Sequence, residues 1–322
     1  MNITVIGLGS MGKRRIRLIR EMFPEYVITG VDGREDRRKN AEEIFGIRTY
    51  SSAEEIFDII DCAFICTSPL SHSEIIKDCL KKKWHVFSEL NLISTGYDEN
   101  IRLAKENNLV LFLSSTFLYR EEIKYISSKI TNDRRWNYIY HIGQYLPDWH
   151  PWENYKDFFI GDKRTNGCRE IMAIELPWLT VAFGDVKKVD ARSDKMTDLE
   201  INYDDNYMIQ VIHKNGNKGA LVVDVVSPAA VRKLEVYAEG HYIAWNGTPD
   251  SLVEFDPESR KVVPVSLTEQ AEHIEGYSIF VVENAYKNEI REFFDVVLNG
   301  KTALYGFEQD KKILALIDSL GA

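Results

Sequence analysis

The sequence predicts an α/β domain built on a doubly wound parallel sheet, followed by a C-terminal α/β domain of α+β character on a largely antiparallel open sheet. Three observations carry that expectation. Over residues 1 to about 118, short apolar runs alternate with longer amphipathic stretches, the rhythm of repeated βαβ units. The apolar runs are continuous rather than alternating, as strands covered on both faces are. After about Tyr119, longer segments alternate apolar and polar residues and are joined by turn signals such as Lys214-Asn215-Gly216-Asn217.

ITVIG opens the chain as a strand, and a helix follows through Ile16 and Ile19. YVITGVD is the second strand, with a helix behind it. CAFICT, a helix from about Ser71 to Lys83, HVFSE, a helix from about Asp98 to Asn107, and LVLFLSS complete the parallel series. Beyond it come one helix and then NYIYHIGQY, NYMIQVIH, GALVVDVVS and KLEVYAEGHYIAW as strands. A helix near Glu170 to Phe183 interrupts them, and helices from about Phe280 to Leu298 and Glu308 to Leu320 close the chain.

Composition narrows the function. With 322 residues, 44% of them hydrophobic, the chain has enough apolar material for two cores. The net charge of -10 is spread without long single-sign blocks, which speaks against a polyanionic partner, so nucleic acid is not expected. Cys62, Cys66, Cys79 and Cys168 lack CxxC spacing, so neither a metal site nor a disulfide framework is expected and a reduced, cytoplasmic setting is. MNITVIGLG reaches a glycine turn too soon for a secretory leader, and no run of about 18 apolar residues occurs to span a membrane.

The sharpest motif is Gly7-Leu8-Gly9-Ser10-Met11-Gly12, a GxGxxG directly after a strand and opening a helix. In that setting Gly7 permits the tight turn, Gly9 admits a pyrophosphate to the backbone, and Gly12 lets helix and strand pack closely. Asp32 follows about 20 residues later, where a carboxylate accepts hydrogen bonds from an unmodified ribose. The pattern is that of a Rossmann domain binding NAD. Asp32 repels a 2′-phosphate, while Arg34, Arg37 and Arg38 offset that repulsion, so NADP stays open as the alternative.

Beyond the fingerprint, Cys66-Thr67-Ser68-Pro69-Leu70-Ser71-His72 and Lys83-Trp84-His85-Val86-Phe87-Ser88-Glu89 resemble the ATP-x-x-x-H and G-K-H-V-x-x-E-K-P motifs of the Gfo/Idh/MocA oxidoreductases. The resemblance continues through Trp178-Leu179, Phe183-Gly184 and a terminal EIxxFxxxxxxG stretch. It implies an NAD(P)-binding Rossmann domain over residues 1–118, with the last helix (about 305–322) returning to it. Residues 119–304 would be a substrate domain whose open sheet makes a homodimer or homotetramer. The implied activity is hydride transfer at a sugar, nucleotide-sugar or cyclitol hydroxyl carbon. The implied cofactor contacts are Gly7, Gly9, Ser10, Met11, Gly12, Asp32, Thr67, Ser68, His72 and Glu89.

The chain departs from the family at two places. Where E-K-P places its proton-handling lysine, this sequence reads Glu89-Leu90-Asn91, and leucine has neither proton nor charge to offer. Where the family has Asp and, four residues later, His on one helix face, this chain has Glu170 and Ile174. The loop from Gly143 to Tyr155 packs aromatic, imidazole and acidic side chains together, a composition suited to a sugar-like substrate or to simple plugging. His150, Glu170 and Tyr145 are the candidates for proton transfer, and Trp149, Trp152, Glu153 and Arg169 for substrate contact; Arg164 and Arg169 either meet an anionic group or are solvated. An oxidoreductase is the leading expectation. The alternatives are a non-catalytic NAD-binding sensor of the same fold and a redox-neutral eliminase.

Overall fold

The computed structural model describes residues 1–149, 153–267, 271–272 and 280–322. Packing divides the chain into two compact units, Met1–Ser115 with Tyr286–Lys312, and Thr116–Ala285 with Ile313–Ala322.

In the first unit, strands β1 (Asn2–Ile6), β2 (Val27–Val31), β3 (Arg48–Tyr50), β4 (Cys62–Ile65), β5 (His85–Ser88) and β6 (Leu111–Leu113) pair in the order β3-β2-β1-β4-β5-β6, all parallel. This is the doubly wound order of a dinucleotide-binding sheet, which reverses between β1 and β4. Helices α1 (Ser10–Met22), α2 (Glu35–Phe45), α3 (His72–Lys81) and α4 (Tyr97–Asn107) make the crossovers. α1 buries Ile16, Leu18 and Ile19. α2 stops at Gly46, whose φ of 59° is the left-handed conformation that ends helices.

The core of this unit is aromatic. Phe64, Phe87 and Phe112 stack across β4, β5 and β6 at 4.7 and 5.2 Å, and Phe293 meets all three edge-on at 5.1, 5.5 and 5.7 Å. Phe293 belongs to α7 (Glu283–Asn299), so the returning segment is a structural part of the first unit. Each such pair adds about 1 kcal/mol beyond burial. Packing divides the chain after Ser115, beside the sequence boundary at 118, and counts Tyr286–Lys312 with the first unit and Ile313–Ala322, within the expected returning helix of about 305–322, with the second. α7 brings its aromatic residue Phe293 to the first unit's sheet, and the division falls within α8 (Phe307–Ser319).

The second unit contains α5 (Glu121–Lys129), β7 (Asn137–Gly143), α6 (Gly167–Phe183), β8 (Val186–Asp194), β9 (Asn206–His213), β10 (Lys218–Asp224), β11 (Val231–Ala238), β12 (His241–Trp245), β13 (Val253–Asp256) and β14 (Lys261–Pro264). Its strands pair in the order β14-β13-β12-β11-β7-β10-β9-β8, with only β7 and β10 parallel. Alternation sets the faces: Tyr207, Ile209, Val211 and His213 of β9 are buried, while Met208, Gln210 and Ile212 are exposed. α6 begins three residues before its sequence-predicted start, because the Asn166 side chain accepts the Arg169 backbone N–H at 2.8 Å and caps it there. It is tied to the sheet through Glu175, which accepts from Tyr140 of β7 at 2.8 Å, Trp178 at 2.7 Å and Arg232 of β11 at 2.6 Å.

Candidate dinucleotide site and its neighbours

The glycine turn has the backbone geometry that its spacing implies. Gly7 has a φ of 96°, and a Cβ there would lie 2.7 Å from the Cys66 backbone. A Cβ on Gly12 would sit 1.9 Å from the Gly7 carbonyl oxygen, so any side chain would push α1 off β1. Gly9 is different. A Cβ there would meet only the tip of Arg37, at 3.7 Å, so the backbone faces open space. Gly9 caps α1 without a side-chain bond, and among the first-turn residues none is acidic. The helix therefore presents N–H groups with partial positive charge beside an open approach, a cradle that fits a pyrophosphate.

Asp32, just past β2, accepts the Leu8 N–H through Oδ2 at 2.8 Å and the Arg34 N–H through Oδ1 at 2.9 Å, which fixes its carboxylate at the turn. Each oxygen retains a further lone pair for a ribose hydroxyl. The three arginines separate. Arg34 turns to Asp36 at 2.7 Å, Arg38 donates to the Asp32 carbonyl at 2.7 Å, and Arg37 faces the Asp32 carboxylate, at 3.7 Å. Ser10 is exposed, and the Met11 sulfur accepts from Arg14 at 3.3 Å.

At the neighbouring strand ends, Ser68 is exposed and the Thr67 hydroxyl accepts from Ser71 at 2.8 Å. His72 departs from the expectation of a cofactor contact. It is 1% exposed, with Nε2 at 2.9 Å from the Thr67 carbonyl and Nδ1 at 2.6 Å from Asn91 Oδ1, so it ties two loops together. Burial pushes its pKa below the ordinary imidazole value. Glu89 stays partly open, at 12% side-chain exposure, and receives Arg15 Nε at 2.6 Å and Nη2 at 3.2 Å. Leu90 is half-buried and Asn91 buried. Asn91, through His72, holds a loop that the family shapes with proline.

In the second unit, Glu170 stands in the first turn of α6. The residue keeps partial access to solvent, but its Oε2 is enclosed and has no hydrogen-bond partner among the described residues. Burial alone raises the carboxyl pKa to about 7. Ile174, one turn on, is likewise half-exposed. Tyr145 is half-buried and anchored by its backbone N–H to the Ser227 carbonyl at 2.7 Å. Trp149 folds onto its own loop, donating to the Gln144 carbonyl at 3.0 Å, and its ring lies against the start of α6 near Gly167. Glu153 is exposed. His150 and Trp152 lie outside the described residues.

Arg169 is a correction. It is 5% exposed, and its guanidinium donates to the Ala322 carbonyl at 2.6 Å and pairs with Asp318 at 2.7 Å, so it fastens the chain's last residues instead of facing substrate. Arg164 pairs with Asp162 at the surface. The residues that sequence reasoning missed are Arg15, Asn91 and Glu289, whose partners are distant in the chain. A cavity of about 850 Å³ among Asn2, Tyr26, Val27, Phe45 and Arg48 lies at the amino ends of β1 to β3, the end of the sheet opposite the glycine turn.

The fold and the glycine cradle together define a dinucleotide-binding protein. Residues 1–115 match the family model described as oxidoreductase family, NAD-binding Rossmann fold. Over these residues the chain is similar to the Rossmann domains of the Gfo/Idh/MocA oxidoreductases. Myo-inositol 2-dehydrogenase of Thermotoga maritima is 28% identical over 137 residues, 41% of this chain and 41% of that protein. The match therefore spans about two fifths of the relative's length. Among solved structures, a putative NADPH-dependent oxidoreductase from Desulfitobacterium hafniense superposes with a TM-score of 0.81 at 14% identity, covering 98% of this chain and 93% of the other. Levoglucosan dehydrogenase in complex with NADH and L-sorbose gives 0.80 at 16% identity over 100% and 96%. UDP-N-acetylglucosamine 3-dehydrogenase from Acidithiobacillus ferrooxidans gives 0.76 at 15% over 99% and 96%. At such identities these likenesses establish the shared fold. No helix among the described residues is long and apolar enough to cross a membrane.

Proposed function

We propose that the chain is an NAD-dependent oxidoreductase acting on a hydroxyl or keto carbon of a sugar, nucleotide sugar or cyclitol, with Glu170 exchanging the hydroxyl proton. The observation that carries this reading is the Glu170 carboxyl, without a partner at Oε2 among the described residues and raised by burial to about 7. A group with that pKa takes up and releases protons near neutrality, which is what general acid–base catalysis requires. Gly7, Gly9, Ser10 and Gly12 would hold the pyrophosphate and Asp32 the adenosine ribose. Bound NAD supplies the hydride acceptor. Tyr145 and Trp149, on the loop packed against the start of α6, would orient the substrate, with His150, Trp152 and Glu153 further along the same loop.

The relatives' names support the substrate class: an inositol, an anhydrosugar and a nucleotide sugar. Homo-oligomer formation through the open sheet is supported by Ile139, Met208, Ile212 and Tyr237, exposed apolar side chains that register pairing places on one face.

Leucine at 90 and isoleucine at 174 favour a second reading, a sensor that binds NAD and a sugar without reacting. One experiment separates them. NAD affinity is measured by calorimetry, and near-ultraviolet absorbance then follows NADH formation with inositols, anhydrosugars and nucleotide sugars. Turnover that falls by roughly 100-fold in Glu170→Gln supports the catalyst. Cofactor binding with no turnover on the panel supports the sensor.

A further inference from the structure

Behind Glu89 stands a buried row of alternating charges that neither the glycine turn nor the proton chemistry uses. Arg15 of α1, fully buried, donates Nε to Glu89 Oε1 at 2.6 Å and Nη2 to Glu89 Oε2 at 3.2 Å. The same Nη2 donates to Glu289 Oε2 of α7 at 2.7 Å. The other oxygen of Glu289 accepts from the Ser114 hydroxyl at 3.0 Å and the Ser115 N–H at 2.7 Å, just beyond β6. The Arg15 guanidinium also lies over the Phe87 ring at 4.5 Å. Every member belongs to the first unit.

Glu89 is the one member that reaches solvent, and it does so at the carboxyl edge of the sheet. The Cys66 sulfur lies 3.9 Å from its Oε1, and a Cβ on Gly7 would lie 2.7 Å from the Cys66 backbone. Arg15 and Glu289 are fully enclosed and meet no ligand themselves. Burial works against the arginine's charge, but Glu89 and Glu289 more than offset it and hold its pKa above the ordinary value. A planar guanidinium gripping one carboxylate through two nitrogens fixes that carboxylate's plane as well as its place. Without the second carboxylate, Arg15 Nη2 would lose its shortest bond and keep Glu89 Oε2 at 3.2 Å and the Ser114 hydroxyl at 3.3 Å.

We infer that Arg15 and Glu289 are positioning residues: the relay Glu289–Arg15–Glu89 sets the orientation of the Glu89 carboxylate toward a bound dinucleotide, making α7 part of the cofactor site's support. The inference rests on the reading of Glu89 as a cofactor contact. It is tested by calorimetric titration of the full chain with NAD in Glu89→Gln, Glu289→Gln and the double variant, with thermal unfolding recorded for each. Both single variants are expected to bind roughly tenfold more weakly, and the double variant no more weakly than Glu89→Gln, as coupled neighbours behave. A generally loosened fold would instead add its loss to that of Glu89→Gln, and additive losses overturn the relay. Full affinity in Glu289→Gln beside a weakened Glu89→Gln also overturns it and leaves the Glu89 assignment standing. Full affinity in Glu89→Gln overturns both. Should Glu289→Gln fail to fold, Arg15→Lys, which keeps the charge and loses the fork, is measured in the wild-type and Glu89→Gln backgrounds with the same expected non-additivity. The readout is binding, so it is independent of whether the protein turns over a sugar.

Discussion

The two units handle charge in opposite ways. In the first, the partly open Glu89 is backed by a buried guanidinium and a second buried carboxylate, and Asp32 is pinned by two backbone N–H groups. In the second, Glu170 has an enclosed oxygen with no partner among the described residues and a pKa lifted to about 7, while five residues on, Glu175 is saturated by Tyr140, Trp178 and Arg232. Fixed charges suit a binding site, whose polar groups must not move when the ligand arrives. A carboxyl held near neutrality suits proton transfer. On the proposed function, the contrast would give binding to the first unit and proton chemistry to the second.

The largest expected effect breaks the binding half. Gly12→Val would place carbon within 1.9 Å of the Gly7 carbonyl, and NAD affinity by calorimetry is expected to fall at least about 100-fold while the second unit's fold persists. Undiminished binding would remove the glycine turn from the cofactor site. The next effect breaks the chemical half. Glu170→Gln should lower kcat by roughly 100-fold and abolish its titration near pH 7, with NAD affinity unchanged.

The same residue sharpens the comparison through stability. Folding raises the Glu170 pKa from 4.5 to about 7, so the folded state binds its proton more tightly than the unfolded chain. Its contribution to stability is full below about pH 4.5 and is lost as pH rises through about 7. Thermal unfolding of Glu170→Gln against wild type should therefore show a gain of about 2 kcal/mol at pH 8, after allowance for partial solvent access, that vanishes near pH 4. A gain independent of pH would show that the carboxyl is not strained by burial. The smallest effect concerns cofactor choice. Arg37→Ala, removing the guanidinium beside Asp32 and Gly9, should weaken NADP roughly fivefold relative to NAD.

Much of the first unit was legible because it is written in local code. Gly7, Gly9, Gly12 and Asp32 act through backbone shape and short loops, and continuous apolar strands announce a sheet covered on both sides. The antiparallel second sheet was legible from alternation, as β9 shows. Side-chain roles were legible only where neighbours in sequence are neighbours in space. Glu170 and Ile174 share a helix face, as one helical turn requires. Arg169, one residue from Glu170, looked like an anion site and instead holds Asp318 and Ala322.

What the sequence determined by itself was the order of elements, the class of each sheet and the placing of a tight glycine turn, because those follow from periodicity and from the steric demands of glycine. What only the tertiary structure decided was which charges are paired. His72 closes on Asn91 rather than opening to a ligand, and Arg15 meets Glu289 across 274 residues of chain. Burial and partnership set the protonation of each such group, and both are properties of the packed interior, where residues far apart in sequence replace water as the surroundings of a charge.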